Sequence, residues 1–267
     1  MSEASGDAPV TDAAGRGVLV TGASRGIGRA TARAFAAAGY RVAVHYGHGS
    51  ADAQHTLDAL AGVGHVMVGG DLGSPEEARR VVDDAVEGLS TVDVLVNNAA
   101  VAPSPENLHR IDGVEWGDWL GAWDAMTRVN LLGPAAVTWA FARHLIERRV
   151  TGAVINVGSR GAFRGEPDYP AYGATKAALH AFGQSIAQSL APHGIAVTSV
   201  APGFVATERQ EAKLEGEQGD ALRTQSPFGR VGTPEEIADA IVYLASPGAT
   251  WASGGIIDLN GASYLRS

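Results

Sequence analysis

Tyr172 and Lys176 stand four apart in Tyr172-Gly173-Ala174-Thr175-Lys176, the spacing that puts two side chains on one face of a helix. A helix is expected here from Pro170, because proline suits a first turn. A free phenol has a pKa near ~10, so it can trade its proton near neutrality only if a neighbouring positive charge lowers that value. A lysine one turn away can do so. A shift of ~3 units asks for roughly 4 kcal/mol, which requires a partly dry site. Such a pair can deliver a proton to an oxygen on which charge develops, as carbonyl reduction demands. Tyr169 precedes Pro170 and lies farther from Lys176, so it is assigned to a substrate wall.

A second set of residues could hold phosphate. The run Thr21-Gly22-Ala23-Ser24-Arg25-Gly26-Ile27-Gly28 follows an apolar β-type segment and precedes an Ala-rich helical one. Glycines let backbone approach a pyrophosphate, and a helix N-terminus points N–H groups at it. An NAD site of this kind usually carries an acid at the end of the second strand for the ribose hydroxyls. Val42-Ala43-Val44-His45-Tyr46-Gly47-His48 has none. Arg25 inside the turn would attract a 2′-phosphate, so NADP(H) is favoured over NAD(H), with His45 as a further candidate contact.

These residues need a scaffold. Apolar, β-branched runs at GVLVT, RVAVHY, HVMVGG, VDVLVN (92–97), GAVINVG (152–158), IAVTSVA (195–201) and GGIIDLN (254–260) have helical stretches between most of them. Ser74-Pro75-Glu76-Glu77 reads as a helix start, with a capping serine, a first-turn proline and acids facing the helix dipole. Seven buried strands in βαβ order predict a doubly wound α/β sheet, mostly parallel, with helices on both faces. Residues 1–16 read as a disordered tail and 17–267 as one domain. Pro134 falls inside a helical stretch, and its ring would displace the carbonyl of Asn130.

The G-x-x-x-G-x-G spacing resembles that of the short-chain dehydrogenase/reductase family, and so do Asp71-Leu72, Asn97-Asn98-Ala99 (departing from the family at Ala100), Ser159 with Tyr172 and Lys176, and Pro202-Gly203-Phe204-Val205-Ala206-Thr207. The resemblance covers about residues 17–262 and is strongest to 3-oxoacyl-carrier-protein reductases and their paralogues, some acting on sugars or other ketones. It implies catalysis by Ser159, which would orient the substrate oxygen, with Tyr172, Lys176 and Asn130, the last holding a water that links the lysine to solvent. The implied cofactor contacts are Gly22, Ser24, Arg25, Gly26, Ile27, Gly28, His45, Asp71, Leu72, Asn98, Ala99, Pro202, Gly203, Val205 and Thr207, together with Tyr172 and Lys176. An aspartate capping the turn before Ser74 is the plainer reading of Asp71. The family also implies a homotetramer or dimer. Residues of about 207–226 are polar and read as a lid.

Composition narrows the alternatives. A net charge of −9 argues against a nucleic-acid surface, which needs a dense basic patch. No apolar run is long enough to span a membrane. Zero cysteines exclude disulfides and thiolate metal sites, no metal being expected, and are compatible with the cytoplasm. The partner is then a small carbonyl or alcohol. An idle dinucleotide sensor would not need both Tyr172 and Lys176, and an extended epimerase would want more chain than 208–267. Trp116, Trp119 and Trp123 could line an entrance, pack a core or bury a subunit contact.

Overall fold

The computed structural model describes residues 15–208, 210, 214 and 216–266. Seven strands form one parallel sheet in the order β3-β2-β1-β4-β5-β6-β7. They are β1 (Gly17–Val20), β2 (Arg41–Tyr46), β3 (Val66–Gly69), β4 (Val94–Asn97), β5 (Gly152–Val157), β6 (Ile195–Pro202) and β7 (Ile256–Leu259). The helices are α1 (Gly26–Ala37), α2 (Ser50–Asp58), α3 (Pro75–Leu89), α4 (Trp116–Thr127), α5 (Gly133–Arg148), the short α6 (Gly161–Arg164), α7 (Pro170–Leu190), α8 (Gly216–Arg223) and α9 (Pro234–Leu244). The expected Rossmann-like doubly wound fold is the observed one, with most strand ends trimmed by a residue or two, β2 unchanged and β6 one residue longer.

Alternation along each strand feeds two cores. Val18 and Val20 of β1 join Phe35, Ile237 and Ile241 on the face covered by α1 and α9, whereas Leu19 joins Val81, Phe141 and Leu145 under α3 and α5. A period of two sends neighbours to opposite faces, and both faces are buried because parallel crossovers cover them. The chain order reverses between β1 and β4, so their carboxyl ends open the crevice where such sheets bind ligands.

Local signals hold where they rest on caps. Ser74 Oγ accepts from Glu77 N at the start of α3, and α7 begins at Pro170. Pro134 offers no N–H to Asn130, and the chain widens into a π turn over Arg128–Leu132, closed by Gly133 N donating to Arg128 O. Residues 1–14 of the expected tail lie outside the described residues, but Gly15 and Arg16 are tied to the sheet, their carbonyls accepting from Arg41 at 2.9 Å each. Of the expected lid, residues 209, 211–213 and 215 lie outside the described residues, and α8 occupies much of the remainder.

Candidate active site

The crevice is a cleft of about 580 Å³ at the carboxyl ends of the strands. Gly22, Ser24, Arg25, Gly26, Ile27 and Gly28 line one end of it with His45, Asp71, Leu72, Asn98 and Ala99; Ser159, Tyr172, Lys176, Pro202, Gly203, Val205 and Thr207 line the rest. Every catalytic and cofactor-binding candidate read from sequence except Asn130 therefore reaches one cleft. Asn130 lies behind it, fully buried, its Oδ1 accepting from Val101 N at 2.8 Å and its Nδ2 donating to Val101 O at 3.1 Å and Thr175 Oγ1 at 3.3 Å.

The glycine turn, which continues β1, is held from β2 and β4. Gly22 has φ +63°, and an added Cβ would come within 2.8 Å of Ala99 Cα, so only glycine fits. At Gly28 an added Cβ would run into Gly22 O and Asn98 Nδ2. Thr21 Oγ1 donates to Val96 O and accepts from Asn98 N and Ala99 N. Asn98 Nδ2 donates to Thr21 O at 2.9 Å and Gly22 O at 3.0 Å. That amide braces the turn, and Asn98 also lines the cleft.

His45 is a correction. It is buried, its Nδ1 accepting from Gly22 N at 3.0 Å and its Nε2–H donating to Gly70 O at 3.0 Å. Both ring nitrogens are committed, and burial pushes its pKa down to about 4. A neutral, fully bonded ring cannot bind a phosphate as a cation; it ties β2 to the turn instead. Asp71 Oδ1 accepts from Gly73 N at 2.9 Å, which supports the turn-capping reading, although the residue also lines the cleft.

The cradle fits an anionic dinucleotide, and its own chain supplies a stand-in. Glu208 Oε2 accepts from Gly26 N at 3.0 Å, and Oε1 pairs with Arg29 at 2.7 Å. A carboxylate thus sits where the start of α1 offers N–H groups to phosphate. Arg25 is exposed at the N-cap of α1.

At the other end, Lys176 is 2% exposed and donates from Nζ to Val157 O, the last carbonyl of β5, at 2.8 Å. Its Nζ lies 5.8 Å from the centre of the Tyr172 ring. Burial lowers its pKa to about 8, so it remains mostly charged at neutral pH. Ser159 Oγ accepts from Gly161 N at 3.0 Å, which fixes the hydroxyl in the turn after β5. Tyr169 lines the cleft, as expected of a wall residue, and burial raises its pKa.

Several contributors lie outside the motifs. His180, one turn beyond Lys176, stacks on Phe163 at 5.2 Å, and its ring leaves no space for a side chain at Gly158. Burial lowers its pKa to about 4, so a neutral ring packs against Gly158, the residue before Ser159. The four-residue step from Lys176 is the signal that could have found it. His109 is buried, accepts through Nε2 from Ala171 N at 3.0 Å, and thereby fastens the segment before α4 to the first turn of α7. Trp119 packs against His109 and Trp123, with ring centres 6.0 and 5.9 Å away. None of the three tryptophans lines the cleft, and Trp116 is 71% exposed. Glu208 and Arg160 also belong to the site without belonging to any motif.

A parallel sheet with a glycine cradle at its switch point and a Tyr–Lys pair in the same cleft defines a dinucleotide-dependent oxidoreductase class. A family model, adh_short_C2, described as "Enoyl-(Acyl carrier protein) reductase", matches residues 22–261. An L-rhamnose 1-dehydrogenase (NAD(P)(+)) of Sphingomonas sp. is 35% identical over 94% of this chain and 97% of its own. The 3-oxoacyl-[acyl-carrier-protein] reductase FabG of Vibrio cholerae is 36% identical over 94% and 98%. Among solved structures, the reductase LugOII, described as catalysing keto-reduction at C1 in lugdunomycin biosynthesis, superposes with a TM-score of 0.84 at 31% identity, over 95% of this chain and 99% of that one. The angucycline C-6 ketoreductase LanV with bound NADP gives 0.81 at 31%, over 94% and 96%. The chain belongs to the short-chain dehydrogenase/reductase family, whose oxidoreductases act on CH–OH groups or the corresponding ketones with a dinucleotide cofactor. Among the described residues no helix is long and apolar enough to cross a membrane.

Proposed function

We propose that this chain is an NADP(H)-preferring, cytoplasmic oxidoreductase that interconverts a ketone and a secondary alcohol, with Tyr172 as the proton donor and acceptor. The observation that carries the reading is the buried Lys176, hydrogen-bonded to Val157 O beside the Tyr172 ring in the cleft that holds Ser159. The nicotinamide, when bound, supplies or accepts the hydride. Ser159 then holds the substrate oxygen, Tyr172 gives it a proton, and the ammonium of Lys176 favours the phenolate left behind. Asn130, bonded to the Thr175 hydroxyl one residue before Lys176, anchors the water route for reprotonation. Gly22, Ser24, Arg25, Gly26, Ile27, Gly28, Asp71, Leu72, Asn98 and Ala99 hold the adenosine and phosphates, and Pro202, Gly203, Val205 and Thr207 the nicotinamide end.

Arg25, with no acid at the end of β2, supports the phosphorylated cofactor. The substrate belongs to the 3-oxoacyl thioester or the sugar and polyol class, since relatives named for each match at 36% and 35% identity. A homotetramer or dimer accords with Leu132 and Trp139, which stand exposed on the π turn and α5. The direct test is purified protein against a panel of ketones and alcohols, with NADPH and NADH, followed at the nicotinamide absorbance. Reduction of at least one ketone class is expected; no turnover with any substrate in either direction would overturn the reading. Sedimentation at micromolar concentration should return an oligomer, and a monomer would remove the assembly proposal.

A further inference from the structure

We propose that, of the two classes above, the substrate falls in the sugar and polyol class in an acid form, carrying a compact oxyanion, foremost a carboxylate, and that Arg160 binds it; this rests on the ketone–alcohol reading above. Arg160 follows Ser159 and is 6% exposed, yet it lines both the main cleft and an adjoining cavity of about 300 Å³. Its guanidinium donates to the Ser263 hydroxyl and to Gln225 Oε1. Both partners are neutral.

The described acids nearby form their ion pairs with other cations. Glu166 is nearest Arg164 at 3.8 Å, Glu236 pairs with Arg230 at 2.5 Å, and Asp258 pairs with Arg266 at 2.7 Å. Arg160 makes no ion pair among the described residues. A guanidinium held out of water on neutral hydrogen-bond partners, with no ion pair to a described residue, is costly. Burial first, and then the charge of Arg164, pull its pKa down, against an opposing pull from Glu166.

Two other cations in the cleft, Arg25 and Lys176, form no ion pair with a described residue either, but both serve the cofactor in the reading above. Arg160 is left for the substrate. Five N–H groups in a planar fork suit bidentate capture of a carboxylate, and only some are used by Ser263 and Gln225. Ser159 and Arg160 are adjacent in the chain and both line the cleft, so an oxygen held by Ser159 and an anion held by Arg160 fall within one cleft.

The test compares matched pairs on the NADPH-loaded chain: 3-oxobutanoate with its methyl ester, and dihydroxyacetone phosphate with dihydroxyacetone. Turnover and quenching of the bound cofactor's fluorescence are both recorded. The acid should exceed its uncharged analogue in kcat/KM or affinity by about tenfold or more. In Arg160→Gln that ratio should fall toward one, through a rise in KM for the acid larger than any change in kcat. Arg160→Lys should retain part of the preference, and it decides the matter if Arg160→Gln does not fold. A preference confined to the phosphate pair keeps the oxyanion site and replaces carboxylate by phosphate. Equal handling of both members of each pair, or a preference indifferent to both substitutions, overturns the proposal while leaving the reductase reading intact. Binding of acid through Arg160 with no hydride transfer to anything overturns the reductase reading and leaves the anion site standing.

Discussion

At the cofactor end of the cleft, the first residues of the glycine turn are held by atoms of neighbouring strand ends: Gly22 N by His45, Gly22 O by Asn98, Thr21 Oγ1 between Val96, Asn98 and Ala99. At the substrate end Arg160 leans on Ser263 and Gln225, from two segments far along the chain, and Tyr169 leans on His109 across ring centres 6.0 Å apart. One end is a fixed cradle on sheet termini. The other is assembled from loops, which is where members of one fold vary their chemistry. Tyr172 and Lys176 join the two, standing on α7 between them.

The largest way to sharpen that division is Tyr172→Phe. It removes one hydroxyl at the junction, so carbonyl reduction should fall by roughly 10²–10⁴ while NADPH affinity, set at the fixed end, stays unchanged. Tyr169→Phe should alter turnover little. Steady-state rates and NADPH titrations on both variants check this, and turnover lost at Tyr169 instead would break the assignment.

Lys176→Met should also lower turnover, and it adds a stability signature. The lysine's folded pKa, about 8, lies below the value near ~10.4 of an exposed lysine. Between those values the unfolded chain binds more protons, so stability rises with pH. The burial cost, roughly 3 kcal/mol, is fully present below pH 8 and is relieved as pH climbs toward 10. The melting temperature of the cofactor-free wild type should therefore gain on that of Lys176→Met between pH 8 and 10. Parallel curves would mean that the ammonium is better solvated than its burial implies.

Arg25→Ala bears on the fixed end alone. NADPH should bind wild type at least about tenfold tighter than NADH, equivalent to ~1.4 kcal/mol, and the substitution should narrow that gap without changing the acid–ester ratio. Fluorescence titration with both cofactors decides it.

The two ends also differ in how legible they are from sequence. Glycine spacing, the missing acid after β2 and the four-residue Tyr–Lys step are local patterns, so the cradle and the junction can be recognised in the amino-acid sequence alone. The bracing role of His45 cannot: its partners, Gly22 and Gly70, are distant in sequence, and a histidine in a β-branched run looks the same whether it binds phosphate or carbonyl. Arg160 sits beside the motif serine, but only its burial and its neutral partners set it apart from an ordinary turn arginine. The three tryptophans are ambiguous because helical spacing does not say what packs against them; His109, the residue that answers this for Trp119, lies ahead of α4 and outside any periodic pattern.

Glu208 offers the smallest effect and the finest test of how fixed the cradle is. Its carboxylate takes the Gly26 N–H and Arg29, both at the mouth of the phosphate site, and it stands on the polar stretch that leads from the substrate end. An incoming pyrophosphate must displace that carboxylate or sit beside it, and either course sets like charges against one another near the start of α1. Glu208→Gln keeps the size and a hydrogen-bonding oxygen while removing the charge. NADPH should then bind severalfold tighter, with a steeper loss of affinity as salt rises, because the net positive field at the cradle is larger. Arg29 keeps its bonds to Ser24 O at 3.1 and 2.6 Å, so the turn itself should not loosen. Weaker NADPH binding in Glu208→Gln would show the opposite arrangement, in which the Glu208–Arg29 pair clasps the loop over a bound cofactor, and the two ends of the cleft would then be coupled rather than separate.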